Sequence, residues 1–472
     1  MTTAPATFLA DLLPEDQYST AASDRADHAR DWGTRPEEAV DPDVVVWPES
    51  TADVSAVLAA ATDHRVPVTP FAAATGIEGN AVPAHGGISL DLTRMDSVLE
   101  VRPDDLQIDV QPGVLGSAVN EALERYGLFF PPLPTSGDIA TIGGMIATNA
   151  SGKQTVKYGK VGDWVLELEA VLADGTVIEP GTRAAKTSSG YNLRDLLVGS
   201  EGTLAVVTRA TLALAGRPQQ QRAGRVVFDS FADAAAAASD LVRSGVDVAA
   251  LELIDSLSAT MANAYVGGDL PEKPMAFLEF HADHGIDEEI DFCRTVLSAY
   301  DPLDVEFGDE STQADLWAAR RELADATRAY YPDLESVAAG DVAVPVSRYP
   351  EMIERIHALS DARDLPIPCF GHAGDGNVHF DVFADPDDDA EWARAIETYE
   401  TIVREALAKD GTATGEHGIG RGKRKFMIDE HGEGGVRAMR AIKDALDPHG
   451  ILNPGKVLPD PEPGPTATDD SG

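Results

Sequence analysis

Two glycine-bracketed loops in the second half of this sequence hold the residues best suited to chemistry. Gly371-His-Ala-Gly-Asp-Gly-Asn-Val-His-Phe380 sets His372 and His379 seven residues apart, with a glycine-rich turn between them and a strand starting at the second. Such a turn lets both imidazoles face one point. Gly411-Thr-Ala-Thr-Gly-Glu-His-Gly-Ile-Gly-Arg-Gly422 presents Glu416 and His417 from a similar loop. Two imidazoles and a carboxylate suit a divalent ion such as Zn2+, Mn2+ or Fe2+ with one coordination position left open. A lone histidine is more often a solvated surface residue. Here three of the chain's 11 histidines, with an acid, fall in two such loops, which favours a site.

The first half is marked by three glycine-dense stretches. Thr69–Asn80 follows an apolar strand, and small residues there let backbone N–H groups close around an anion. Pro134–Gly152 is almost free of bulky polar side chains, so a large flat group can lie against it. Val198-Gly-Ser-Glu-Gly-Thr-Leu204 reads as a tight turn. None matches the strand, Gly-x-Gly-x-x-Gly, helix fingerprint of dinucleotide sites. Gly450–Lys456 has the glycine-to-lysine spacing of a P-loop, but Val457 replaces the magnesium-binding Ser/Thr and a helix precedes it, so that reading is rejected. Any one stretch is more often loop packing; three in one region point to a ligand.

These loops need elements to hold them. The pattern predicts helices near Thr7–Leu13 and Thr20–Asp31, strands Val44–Trp47, Val66–Pro70 and Ile88–Leu92, and a helix Thr51–Asp63 capped by Thr51. Strands Gln107–Val110, Trp164–Leu172 and Thr203–Leu214 and a helix Gly116–Tyr126 follow, with an Asp174-Gly175 hairpin turn. A polar break over residues 215–224 reads as a domain boundary. Beyond it, helices Phe231–Ser244, Glu288–Ala299, Gln313–Tyr330, Pro350–Arg363, Ala390–Asp410 and Gly434–Leu446 are expected, with strands Ala276–His281, Asp341–Val346 and Val378–Phe383. Strands separated by long helices imply an α+β domain with a covered sheet. The Pro-rich residues 457–472 are expected to be a disordered tail.

Composition narrows the setting. The 472 residues suggest two or three domains, and 43% hydrophobic content supports a large core. Against 37 Lys+Arg stand 80 Asp+Glu, a formal net charge of −43, which argues against nucleic acid as a partner. Acids recur in nearly every segment, and only ten of the 37 basic residues are Lys. An evenly acidic, lysine-poor surface on an ordinary core fits a halophilic, haloarchaeal cytosol, where the Debye length shrinks to ~3 Å at 1 M salt. No apolar run approaches a membrane span, and no signal-peptide pattern opens the chain, so a cytoplasmic protein is expected. Peripheral docking at the inner face of the membrane is opposed by the charge at low salt. Cys293 and Cys369, the two cysteines, read as buried apolar residues in a reducing compartment.

The motifs together resemble a known family. Val45–Val54, the Thr75-Gly-Ile-Glu-Gly loop, Gly143-Gly-Met-Ile-Ala-Thr-Asn-Ala-Ser-Gly152, Lys157-Tyr-Gly159 and Val198–Leu204 resemble the vanillyl-alcohol-oxidase-type FAD domain. His372–His379, Thr414–Lys423 and Leu446–Lys456 resemble the FAD-linked D-2-hydroxyacid dehydrogenases, including cytochrome-type D-lactate dehydrogenase, the glycolate oxidase flavin subunit and D-2-hydroxyglutarate dehydrogenase. The resemblance covers roughly residues 40–457. It implies an α+β fold: an N-terminal extension (1–40), a two-part PCMH-type FAD-binding domain (41–216) and a substrate and metal domain (217–456) with an antiparallel sheet covered by helices. It places FAD contacts at Ala72, Ala73, Ala74, Thr75, Gly76, Ser136, Gly137, Gly143, Gly144, Asn149, Ser151, Gly152, Val156, Tyr158, Glu201, Gly202 and Asn453. The diphosphate would lie on the first loop, the isoalloxazine on the second stretch and the adenosine half at the Gly-Ser-Glu-Gly turn. Ala73 and Ala74 replace commoner glycines, which negative φ would accommodate. Residues 70–80 contain no histidine, so FAD is expected to be non-covalent.

By the same resemblance His372, His379 and Glu416 are metal ligands, His417 is the catalytic base and Asn377 assists substrate or metal. A 2-hydroxy acid loses its hydroxyl proton to a base and a hydride to flavin N5, with the metal polarising the hydroxyl. Arg348 or Arg320 is the candidate clamp for the substrate carboxylate. Relatives acting on hydroxyglutarate carry a lysine where this chain has Ala339 and Gly340, which favours a small acid, D-lactate foremost. The electron acceptor is expected to be a quinone or an electron-transfer protein, and a homodimer or partner subunits are compatible with the chain. A glycolate oxidase flavin subunit and a non-catalytic flavin electron-transfer module are the alternatives.

An anionic substrate approaching this acidic surface is repelled, and salt screens the repulsion. For the purified protein kcat/KM is expected to rise with KCl from low salt into the molar range; a monotonic fall with the circular dichroism unchanged would count against salt adaptation.

Overall fold

The computed structural model describes residues 5–308 and 322–460. Its first half holds two small sheets. Strands Val44–Val46, Ile88–Asp91 and Val68–Phe71 run parallel, and Tyr18–Ser19 adds an antiparallel edge. The helix Thr51–His64 makes the crossover, burying Val54, Val57, Leu58 and Ala61. Its N-cap is Ser50, whose hydroxyl accepts from the Asp53 N–H at 3.2 Å. Thr51, expected in that role, is the first helical residue and instead bonds Glu169. A five-stranded antiparallel sheet follows, formed by Val98–Arg102, Gln107–Val110, Val206–Ala213, Val165–Val171 and Val177–Ile178 in that spatial order.

The polar run 215–224 holds strand residues of both halves. Ala215–Gly216 pairs with Leu128–Phe129, and Gln220–Val227 is a full strand between Met275–Ala282 and Asp304–Gly308. Backbone pairing on both edges overrides the polarity of the side chains.

The second half is built on a seven-stranded antiparallel sheet. Its spatial order is Asp304–Gly308, Gln220–Val227, Met275–Ala282, Val248–Ile254, Cys369–His372, Asn377–Ala384, Glu335–Ala343. The last of these starts earlier than expected and ends before Pro345, which has no N–H for the ladder. Side chains alternate between faces. Leu251, Leu253, Ala276, Leu278, Phe280, Val342, Val378, Phe380 and Val382 point to one face and join a single apolar core with the helices Phe231–Arg243, Ile286–Leu297, Tyr349–Arg363 and Asp389–Leu407. The other face carries Glu252, Glu279, His281, Asp341, Asn377, His379 and Asp381, all but one of them deeply buried. The polar residues of the domain thus share one face, and the first half of the chain packs over it.

Of the helix expected over Gln313–Tyr330, Leu323–Tyr330 is helical, and residues 313–321 lie outside the described ones. The C-terminal helix runs Met427–Leu446, longer than expected, with a break at Gly432, where φ is 66°. Beyond Leu446, Leu452 bridges to Val68, so the chain returns to the first half. Of the expected tail, residues 461–472 lie outside the described ones. Cys293 and Cys369 are free and buried, and burial pushes the Cys293 thiol up to about 12. Among the described residues no helix is long and apolar enough to cross a membrane.

One buried network joins the halves. Glu279 accepts from Lys153 Nζ at 2.7 Å, Gln154 Nε2 at 3.2 Å and His281 Nε2 at 2.7 Å. His281 Nδ1 then meets the Tyr158 hydroxyl at 2.9 Å. Burial pushes the Glu279 pKa up, but His281 and Lys153 outweigh it and hold the group at about 2. A depressed carboxylate stabilises the fold above its unfolded pKa, and that stabilisation fades as pH falls toward the folded value. Glu279→Gln is therefore expected to cost about 3 kcal/mol near neutral pH. The deficit relative to the parent should shrink between about pH 4.5 and 2, read by denaturant unfolding at each pH. A pH-independent deficit would contradict an ionic role.

Candidate active site

Asp341 organises the site. It is fully buried on the polar face, opposite His379 in the strand register. Its Oδ2 accepts from the Thr414 hydroxyl at 2.9 Å and from the backbone N–H groups of Gly415, Glu416 and His417, each at 3.0 Å. Oδ1 accepts from Asn377 Nδ2 at 2.7 Å. Burial alone would raise its pKa, but the His417, Lys423 and His379 charges hold the carboxyl far below the usual range. Where the 414–417 loop wraps this anion only glycine fits at 415: a Cβ on Gly415 would lie 2.1 Å from Asn377 Nδ2 and 2.8 Å from Asp341 Oδ1.

The wrapped loop aims Glu416 at the histidines. Glu416 Oε1 lies 3.6 Å from His372 Nε2, 3.2 Å from His379 Nε2 and 3.3 Å from His417 Nε2. His372 reaches this point because its register partner across the sheet is Glu252, whose carboxylate holds His372 Nδ1. That bond turns Nε2 toward Glu416 and fixes the ring. Burial lowers the His372 pKa, but Glu252 and Glu416 raise it well above the ordinary value. His379 is lowered, mainly by burial. Burial also lowers His417, yet Asp341 and Glu416 leave it raised. Glu416 is held well below its ordinary value by the three imidazoles, against burial. One donor atom each from His372, His379 and Glu416 falls within a 4.8 Å span, a donor set that fits a divalent ion.

These groups close one end of a cavity of about 610 Å³. The loop 72–76, Ser136, Gly143, Gly144, Ser151, Glu201, Gly202 and Asn453 line the rest of it. The lining is small and largely apolar, which fits a long flat cofactor. The glycines are required by close packing: a Cβ on Gly143 would meet Pro112 at 2.6 Å, and one on Gly202 would meet Pro70 at 2.7 Å. Ala74 departs from the expected negative φ. It sits at φ 53°, in the left-handed region, where its methyl costs about 1 kcal/mol relative to glycine. Glu201 and Asn453 share that conformation at φ 51° and 39°.

Five of the cofactor candidates do not line the cavity. Gly137 and Gly152 pack on Leu133 and Pro134. Asn149 caps a helix and accepts from the Gly162 N–H at 2.9 Å. Val156 packs on Gly374, and Tyr158 belongs to the Glu279 network. Asn377 lies behind Asp341, with its amide also donating to the Val342 carbonyl at 3.0 Å. Arg348 is on the surface, paired with Glu351 at 3.2 Å, away from the cavity. Arg320 lies outside the described residues. Sequence reasoning missed Asp341, Glu252, Lys423 and Arg328. For Asp341 and Glu252 the sequence offers an acid inside an apolar strand segment, and only the strand pairing shows what each acid faces.

Known proteins place this geometry. Residues 217–457 match the family model described as FAD linked oxidases, C-terminal domain, and residues 42–181 match that of an FAD binding domain. A probable mitochondrial D-lactate dehydrogenase of Danio rerio is 37% identical over 94% of this chain and 89% of its own. The glycolate oxidase subunit GlcD of Bacillus subtilis is 34% identical over 88% and 89%. Among solved structures, 4-ethylphenol oxidase of Gulosibacter chungangensis superposes with a TM-score of 0.78 at 18% identity, covering 97% of each chain. p-Cresol methylhydroxylase gives 0.76 at 14%, covering 96% of each. These last two show a shared fold.

Proposed function

Because the chain belongs to the FAD-linked oxidase family, we propose that it oxidises a small D-2-hydroxy acid, D-lactate foremost, to the 2-oxo acid. The observation that carries this reading is the group of His372, His379, Glu416 and His417 closing one end of the cavity. Relatives named as D-lactate dehydrogenases match across nearly the whole chain. FAD, held non-covalently along the loop 72–76 and the Gly143–Gly144 stretch, supplies hydride acceptance when bound. A divalent ion (Zn2+, Mn2+ or Fe2+) held by His372, His379 and Glu416 supplies Lewis acidity toward the substrate oxygens.

The chain's own contribution is proton transfer and placement. His417 takes the hydroxyl proton on Nε2, the ring nitrogen facing Glu416 and the cavity. Its Nδ1 is turned to Asp341 Oδ2 at 3.4 Å, so the carboxylate stabilises the imidazolium that forms. Ala339 and Gly340 line the cavity without offering a cation to a distal carboxylate, which favours a short acid. A quinone or an electron-transfer protein would be the electron acceptor. The GlcD relative supports a second reading, the flavin subunit of a glycolate oxidase assembly, which activity of the isolated chain would distinguish.

His417→Ala should keep its flavin absorbance and lose about 100-fold or more in turnover. Exhaustive EDTA treatment should inactivate the parent, with recovery on adding a divalent ion. Unchanged turnover in the variant, or full activity in a metal-free protein, would overturn the assignment. Anaerobic bleaching of the flavin by D-lactate but not L-lactate sets the substrate and its hand.

A further inference from the structure

The helix Leu323–Tyr330 lies on the polar face of the sheet, and its residues divide by the helical repeat. Leu323, Ala326 and Thr327 are buried, Leu323 within a cluster containing Ala259, Ala262 and Phe370. Ala324, Asp325 and Arg328, three and four residues apart, line the cavity instead. Arg328 is the one Lys or Arg among the described residues that does so. Its guanidinium carbon lies 3.4 Å from the centre of the Trp32 ring. Trp32 also lines the cavity and is anchored by its backbone N–H to the Ala74 carbonyl at 2.9 Å. The N-terminal segment thus contributes to the site itself.

Arg328 is an exposed residue of the cavity wall. Desolvation lowers its pKa, and among the described residues the charges of Asp381 and Asp325 raise it. Asp381 is the link to the histidines. It stands two residues after His379 on the same strand face, accepts from Ser336 Oγ at 2.7 Å, and feels the charges of Arg328, His379 and His417 together. As the cation on this wall, Arg328 offers an anion a planar fork that matches a carboxylate.

We propose that Arg328, seated over Trp32 on the cavity wall, is a specificity-determining residue that receives a carboxylate oxygen of the substrate. This rests on the 2-hydroxy acid reading above. The indole lies against the guanidinium carbon, and lysine lacks the planar fork.

The test uses the full-length FAD-loaded protein. Arg328→Gln should raise KM for D-lactate about tenfold or more, as expected for losing a charged hydrogen bond, with kcat changed far less. The dissociation constant of oxalate, an unreactive carboxylate read by perturbation of the flavin absorbance, should rise in parallel. Trp32→Ala should raise both by a smaller factor. If Arg328→Gln loses flavin, Arg328→Lys keeps the charge without the fork and should still raise both constants. Unchanged KM and oxalate affinity in a flavin-replete Arg328 variant overturn the proposal. Weakened oxalate binding in a protein whose flavin no 2-hydroxy acid bleaches supports Arg328 as an anion site while the substrate reading fails.

Discussion

A single buried carboxylate, that of Asp341, governs the arrangement of this site. An ionised acid in a protein interior is costly unless nearly every lone pair is satisfied. Asp341 meets this condition with four donors from the 414–417 loop, one from Asn377 and the nearby Lys423 ammonium at 3.6 Å. The chain segment that must carry Glu416 and His417 is thereby folded around the sheet's own residue.

The same interaction reaches the cofactor half. Lys423, fully buried between Asp341 and Glu78, lies 3.1 Å from the Glu78 carboxylate. The Glu78 carbonyl in turn accepts from the Arg421 N–H at 2.8 Å. Glu201 adds a second tie, accepting from the Ile419 and Gly420 N–H groups at 2.7 and 2.9 Å and from Asn80 at 2.6 Å. Asn453 closes the set through the Asn80 and Glu201 carbonyls at 3.1 and 2.7 Å. The loop bearing Glu416 and His417 is thus bonded on one side to the substrate sheet and on the other to the loops that line the cofactor cavity. Geometry between the two is fixed by hydrogen bonds rather than by apolar packing, which suits a site that must present charge.

Much of this was legible in the chain. Histidine and glutamate in glycine-bracketed loops marked the site, and the residue pattern marked Gln107–Val110 and most of Asn377–Ala384 as strands. The acids supporting the site were not found because each sits inside a strand whose neighbours are apolar. Glu252 in Val248–Ile254 and Asp341 in Glu335–Ala343 become visible only when strand pairing sets them beside His372 and His379. Arg348 was misplaced for a related reason: its neighbouring Pro345 turns the chain out of the sheet to the surface. Ser50 rather than Thr51 caps the first long helix because the cap must precede the first helical residue.

The central claim is that the Asp341 charge, not its shape, holds the loop. Asp341→Asn preserves size and removes the charge, and its amide can accept at only one oxygen. In the flavin-replete variant, metal content by elemental analysis and the rate of flavin reduction by D-lactate should both fall by about tenfold or more, while the circular dichroism stays near that of the parent. Parent-like metal content and reduction rate in that variant would contradict the account.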